Sequence, residues 1–239
     1  MSPSAAVHAV SPSLSSRSDA VNERHSHSNN NSGSADSVNA RQSSSTVLEP
    51  TTECFALSSR LPKNLVDLGI EIDLQSPQIT LQYSVHMCPR RMKREMRLVF
   101  PGIAGREGEL VIIPTFQKTS SSMISYDAAT QIEKDQKLQL FYRWGAELVS
   151  RLQQRGYWAD ITDPMSGMAL FTTSGPSLYP DVEGAEILLR YKPLNLGTCF
   201  VLSHPSWGTS MYPATAFTLA PPELVMQVLD QMRKGISDQ

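Results

Sequence analysis

The chain has 239 residues, 40% of them hydrophobic and 18% charged, with a formal charge of −2 at pH 7; this is apolar material for one domain with a polar extension, and it leaves no basic footprint for general nucleic-acid binding. Cys54, Cys88 and Cys199 are widely spaced and form no Cys-x-x-Cys pair, which argues against a disulfide framework or a structural zinc site and fits a reducing compartment. No apolar run approaches the roughly 20 residues that span a bilayer, and no apolar signal core follows Met1, so a soluble intracellular protein with no membrane partner is expected.

Residues 1–50 are rich in Ser, Asn and His, as in His25-Ser26-His27-Ser28-Asn29-Asn30-Asn31, and a segment so poor in apolar side chains is expected to be disordered. Arg17, Arg24 and Arg41 suggest a mitochondrial leader, but Asp19, Glu23 and Asp36 stand among them, against the acid-poor composition of such leaders. A cytoplasmic location is the expectation, with a mitochondrial one left open. Residues 51–76 are expected to be an extended arm or linker, and within them Leu65 to Leu74 ends in an alternation that suits an arm or an edge strand. The main domain is placed at 77–236.

Ile79, Leu81, Tyr83 and Val85 alternate with polar residues, the period of a half-buried strand. After Cys88-Pro89, Met92, Met96 and Val99 share one face of a helix whose outer face carries Arg90, Arg91, Lys93, Arg94 and Arg97; Pro101-Gly102 ends it. That outer face is either simply solvated or a docking surface for an acidic partner. Leu110 to Ile113 reads as a buried strand, ended or pushed to a sheet edge by Pro114 and extended by Thr115 to Lys118. Ser120-Ser121-Ser122 makes a turn, with Met123 to Tyr126 as a returning strand.

From about Ile132 to Arg155, Leu138, Phe141, Gly145, Leu148, Val149 and Leu152 recur at helical spacing, and Gly156 closes the helix. Strands are then expected at Tyr157 to Ile161, Met168 to Phe171, Glu186 to Tyr191, Cys199 to Leu202 and Thr215 to Leu219, followed by a helix from Pro222 to Lys234. The predicted fold class is α+β, a layer sandwich with a mixed, mainly antiparallel sheet and a disordered N-terminal tail.

Two segments hold the loop-borne polar and aromatic groups. They are Gly156 to Gly167, with Trp158, Asp160 and Asp163, and Leu196 to Thr209, with Cys199, His204, Ser206, Trp207 and Gly208. They are expected to form the walls of one site. Asp163-Pro164 before Ser166-Gly167 is foremost turn chemistry. Cys199 and His204 suit a thiolate and base, but residues five apart on a strand point to opposite faces, so a dyad would require the chain to fold back. Trp158 and Trp207 read first as core anchors. There is no glycine-rich dinucleotide fingerprint and no phosphate-loop motif.

Gly156-Tyr157-Trp158-Ala159-Asp160, Asp163-Pro164-x-Ser166-Gly167, Leu196-Gly197-x-Cys199 and His204-x-x-Trp207-Gly208-Thr209 together resemble the methylmalonic aciduria and homocystinuria type D protein family. The likeness extends through Cys88-Pro89, Phe100-Pro101 and Gln117-Lys118-Thr119, and so covers roughly Gln78 to Thr218. It implies a nitroreductase-like scaffold used without flavin, and a cobalamin-trafficking adaptor that is not itself an enzyme.

The implied partner is the type C protein that processes cobalamin, with delivery toward methionine synthase or methylmalonyl-CoA mutase; a homodimer stays open. The resemblance also implies that cobalamin sits on the partner while a cysteine in a Leu-Gly-Cys-Cys loop ligates cobalt. Thr198 stands at the first of those two cysteine positions, which leaves Cys199 as the candidate cobalt thiolate. The candidate cobalamin-contacting residues are thus Thr198, Cys199, His204, Ser206, Trp207 and Gly208. Two other readings are a flavin-dependent reductase on the same scaffold and a protein interaction module without cobalamin dependence.

Overall fold

Alternation puts Ile79, Leu81 and Tyr83 on one face of a strand. In the computed structural model, which describes residues 49–57, 63, 65, 78–197 and 199–235, that face is buried. The strand is β2 (Gln78–Tyr83), and it pairs antiparallel with β1 (Thr51–Ala56), Phe55 lying opposite Ile79. The sheet therefore begins at Thr51, inside the segment expected as an arm. The expectations for the tail through residue 48 and for the alternation ending at Leu74 fall outside the described residues, apart from Leu65, which is buried.

The remaining strands of this sheet are β3 (His86–Met87), β4 (Val111–Lys118), β5 (Ala159–Ile161) and β8 (Met211–Thr218). Their order is β1-β2-β4-β8-β5, with β3 also on β4. Every described pairing is antiparallel, which corrects the expectation of a mixed sheet. Both β4 and β5 pair antiparallel with β8, so they run in the same direction with β8 between them. The helical crossover from β4 to β5 leaves a gap, and β8, last in the chain, fills it.

Pro114 is in the middle of this sheet, not at its edge. Its carbonyl accepts from Ser84 N–H at 3.3 Å, but it has no N–H to return. β2 and β3 share one register against β4 and are interrupted at Ser84 and Val85, opposite the proline. A central strand tolerates the missing donor because its neighbour is broken at that point.

Neighbouring residues of β4 belong to different cores, so both faces of the sheet are covered. Val111 and Ile113 pack with Phe141, Trp144 and Leu148 of α2 (Ala128–Gln154) and with Val225 and Leu229 of α4 (Pro222–Lys234). Ile112 packs on the other side with Met96, Val99 and Phe100, at the end of α1 (Lys93–Val99). Full burial of side chains of this size contributes about 1.5–3 kcal/mol each before ordering costs. The buried face of α1 and the bounds of α4 agree with the sequence pattern. α2 starts earlier than expected, capped by Asp127, which accepts from Thr130 N–H at 2.9 Å. It ends in a Schellman closure in which Gly156 N–H bonds Gln153 C=O and Tyr157 N–H bonds Leu152 C=O.

Three expected strands are corrected. Glu186 to Tyr191 lies largely in α3 (Asp181–Leu189), whose first turn carries Asp181 and Glu183. A short apolar run suits a strand or a buried helix equally, and packing of Gly184 against Tyr179 selects the helix. Met123 to Tyr126 is a turn region tied through Met123 N–H to Thr209 C=O at 2.9 Å. Met168 to Phe171 contributes one bridge, Ala169 to Thr162. The Cys199 to Leu202 strand exists as β7 (Phe200–Leu202), but it pairs with β6 (Pro193–Asn195) in a separate two-stranded hairpin.

The loop after β5 returns to α1, where Gly175 N–H bonds Val99 C=O at 3.0 Å. A Cβ on Gly175 would lie 1.7 Å from the Leu98 carbonyl oxygen, which is backbone and cannot rotate away. Gly175→Ala is expected to lower the unfolding free energy by about 3 kcal/mol, measured by urea denaturation. An unchanged midpoint would mean that this loop is not docked on α1.

Candidate functional site

The β6–β7 hairpin brings Cys199 to its tip. Asn195 pairs with Phe200, Leu196 N–H bonds Cys199 C=O at 2.9 Å, and Gly197 takes φ +89 in the turn. Leu202 anchors the base of the hairpin against Phe116, Ala185 and Met211. Toward the tip that support ends: Leu194, Leu196 and Phe200 are 41%, 46% and 60% exposed, and the Cys199 thiol is exposed beside them. Exposed apolar side chains and a free thiol on one short hairpin are suited to contact with another molecule. Thr198 lies outside the described residues.

The other candidate residues occupy a second turn, after β7. His204 and Gly208 exchange both backbone hydrogen bonds, at 2.8 and 2.9 Å. Ser206 N–H and Trp207 N–H both point at His204 Nδ1, at 3.1 and 3.3 Å. Because Nδ1 accepts, the ring proton is on Nε2, which donates to Gln82 Oε1. The imidazole stacks on Trp207 with centroids 4.2 Å apart and meets Phe116 and Tyr191 edge-on. Burial pushes its pKa down, in keeping with a neutral ring that holds a turn together.

Cys199 and His204 are therefore not brought together. The thiol is at the hairpin tip, and the imidazole is committed to Gln82 and its own turn. Ser206, Trp207 and Gly208 shape that turn. Sequence reasoning missed Gln82 as the partner of His204, since Gln82 reads as one more solvent-facing residue of an alternating strand.

The Trp158 segment is elsewhere. Its carbonyl accepts from Leu219 N–H at 3.0 Å and from Thr218 Oγ1 at 2.8 Å, at the end of β8, whereas the Trp207 turn leads into Met211 at its start. The length of such a strand separates the two by about 23 Å. The expectation that both segments wall one site is thus corrected: β8 has one at each end. Trp158 packs edge-on against Phe100 at 5.2 Å, as a core anchor. Asp163 organises its turn, accepting from Ser166 N–H at 3.1 Å, Ser166 Oγ at 2.6 Å and Tyr142 Oη at 2.8 Å.

The model of the methylmalonic aciduria and homocystinuria type D protein family matches residues 4–230. The chain belongs to this family. Similar curated proteins include the cobalamin trafficking protein CblD of Homo sapiens, 32% identical over 148 residues, which are 60% of this chain and 48% of that protein. CblD of Rattus norvegicus is 32% identical over 145 residues (59% and 47%), and that of Gallus gallus 29% over 148 (60% and 48%). The chain spans about half the length of the curated relatives it matches.

Among the described residues no group of three or more His, Cys, Asp or Glu is placed to hold an ion. Among the described cysteines the exposed thiols are Cys54 on β1 and Cys199 on the hairpin. Cys88 is buried, and burial pushes its thiol up to about 11. Among the described residues no helix is long and apolar enough to cross a membrane.

The basic face of α1 borders a cavity of about 390 Å³ that includes Lys93, Arg97, Arg106 and Cys88. Lys93 is paired there with Glu109 at 3.0 Å, and Arg106 Nε bonds Gly102 C=O. Part of that face is thus engaged in local contacts.

Proposed function

We propose that this chain is a cobalamin-trafficking adaptor that performs no chemical turnover of its own. It docks on the type C processing protein and offers the Cys199 thiolate to the cobalt of a corrinoid carried by that partner, for delivery toward methionine synthase or methylmalonyl-CoA mutase. Cobalamin here is cargo. Ligation transfers the thiol proton to solvent and gives cobalt a sulfur lone pair, with no change in oxidation state.

The observation that carries this reading is the exposed thiol at the hairpin tip, on the same hairpin as the exposed Leu194, Leu196 and Phe200. Family membership and the names of the CblD relatives support the cargo. A nitroreductase-like relationship of the scaffold and a cytoplasmic location, with mitochondrial delivery as the second destination, belong to the same proposal.

Cobalamin absorbance provides the test. The wild-type chain mixed with the type C protein and cobalamin should shift the corrin bands. Cys199→Ser should abolish the shift, and Cys54→Ser should retain it. The same shift in Cys199→Ser would remove this thiol from the site.

A further inference from the structure

The outer face of α1 carries arginines without a counter-charge. Met92, Met96 and Val99 face the core, so Arg94 lies on the opposite side of the helix, with Arg97 and Leu98 beside it at the i+3 and i+4 positions. Arg90 and Arg91 stand in the turn that leads into the helix, and all four arginines are exposed. Lys93 is paired with Glu109, but none of the four has a hydrogen bond or an ion pair among the described residues.

Apolar groups adjoin this row. The chain after β5 is laid against the end of α1 through Ser177 N–H to Leu98 C=O at 3.4 Å and Gly175 N–H to Val99 C=O. The next residue, Leu178, lies against Gly167, where an added Cβ would stand 3.2 Å from the Leu178 Cβ, and Tyr179 N–H bonds Gly167 C=O at 2.8 Å. Met165 and Met168 flank that glycine. Leu98, Met165, Met168 and Leu178 are all exposed, Met165 by 78%. Three segments laid side by side thus present four exposed apolar residues beside the unpaired arginines.

Residues 90–99 and 165–179 contain four arginines and Lys93 against a single acid, Glu95, although the whole chain carries −2. Attraction to an anion is therefore local to this face and orients the chain. Exposed apolar groups next to bare cations mark a contact with a protein or a membrane. A basic cluster of this size on one amphipathic helix is the pattern that anionic lipid head groups attract, and flexible Met and Leu side chains enter such a boundary without needing a complementary pocket.

We propose that the outer face of α1 and the loop after β5 form a peripheral contact for an anionic lipid surface. The four arginines meet the head groups, while Leu98, Leu178 and the two methionines enter the apolar boundary beneath them. Such a contact needs no spanning helix. It uses none of the β6–β7 hairpin, so its failure and the failure of the cobalamin reading are separate outcomes.

Flotation of the full chain with vesicles tests this. Vesicles of phosphatidylcholine and phosphatidylserine at about 7:3 should bind the chain at least about tenfold more tightly than phosphatidylcholine alone, and raising the salt from about 0.1 to about 0.5 M should release it. At roughly a factor of five for each basic side chain near such a surface, Arg91→Gln with Arg94→Gln should weaken binding about 25-fold. Met165→Ser with Leu178→Ser should weaken it at least about fivefold at unchanged charge. Both double variants alter exposed side chains and should keep the wild-type unfolding midpoint in urea. The proposal is overturned if the chain does not float with anionic vesicles, if neutral vesicles bind it as tightly, or if either double variant binds like wild type. Retention on immobilised polyglutamate without vesicle binding would also overturn it and assign the face to an acidic protein.

Discussion

Replacing Asp160 with alanine should lower the unfolding free energy by about 3–5 kcal/mol, one of the two largest effects expected for a single change in this chain. Asp160 is fully buried in β5, and its carboxylate gathers the following loop. Oδ1 accepts from Ile161 N–H at 2.7 Å and Phe171 N–H at 2.9 Å, and Oδ2 accepts from Thr172 N–H at 2.9 Å and from Thr172 Oγ1. Alanine leaves three amides without their acceptor in a place where water has little access, at about 1–3 kcal/mol each.

Leu170 N–H is less affected, because Ile161 C=O also accepts it at 3.0 Å. Asp160→Asn should also destabilise, since its NH2 would face the Thr172 donors. Urea unfolding of both variants measures the effect. A loss below about 1 kcal/mol in the alanine variant would mean that residues 170–172 find other acceptors.

Asp181 should give the chain a stability that falls as pH rises. Its carboxyl turns inward to Thr215 Oγ1 at 3.0 Å, at the start of α3 beneath Tyr179, and burial pushes its pKa up to about 7. Thr215 and the first turn of α3 favour the charged form, while the charge of Asp163 opposes it; burial outweighs the former. In the unfolded chain the group ionises near 3.8. Between these values the folded state holds a proton that the unfolded state has released. The contribution is thus complete below about pH 4 and is lost as pH rises to about 7, a span worth up to about 4 kcal/mol.

Asp160, also raised chiefly by burial, acts in the same direction. His86, lowered by burial to about 4, acts in the opposite one, since its folded form stays neutral where the unfolded chain binds a proton. The informative quantity is therefore the difference between wild type and Asp181→Asn. The variant should match wild type near pH 4 and exceed it by a few kcal/mol at pH 8. Equal slopes for the two proteins in urea unfolding from pH 4 to 8 would sink this account.

Much of the candidate site was legible in the residues themselves. Asp163 organises its turn because Asp-Pro followed by Ser-Gly is a local pattern, and Leu196-Gly197 before Cys199 marked a loop beside a strand. The role of His204 was not legible, because its decisive partner, Gln82, is 122 residues away and reads in isolation as a polar strand position.

Local chemistry by itself determined the elements whose signal is periodic: the alternation of β2, the apolar faces of α1 and α2, the bounds of α4 and the breaks at Pro101 and Gly156. Tertiary structure alone decided that Glu186 to Leu189 is helical, that Pro114 is in a central strand, and that Trp158 and Trp207 stand apart. The last two depend on β8 entering between β4 and β5. Periodicity is set by neighbours a few residues away, whereas strand order is set by packing between segments about a hundred residues apart.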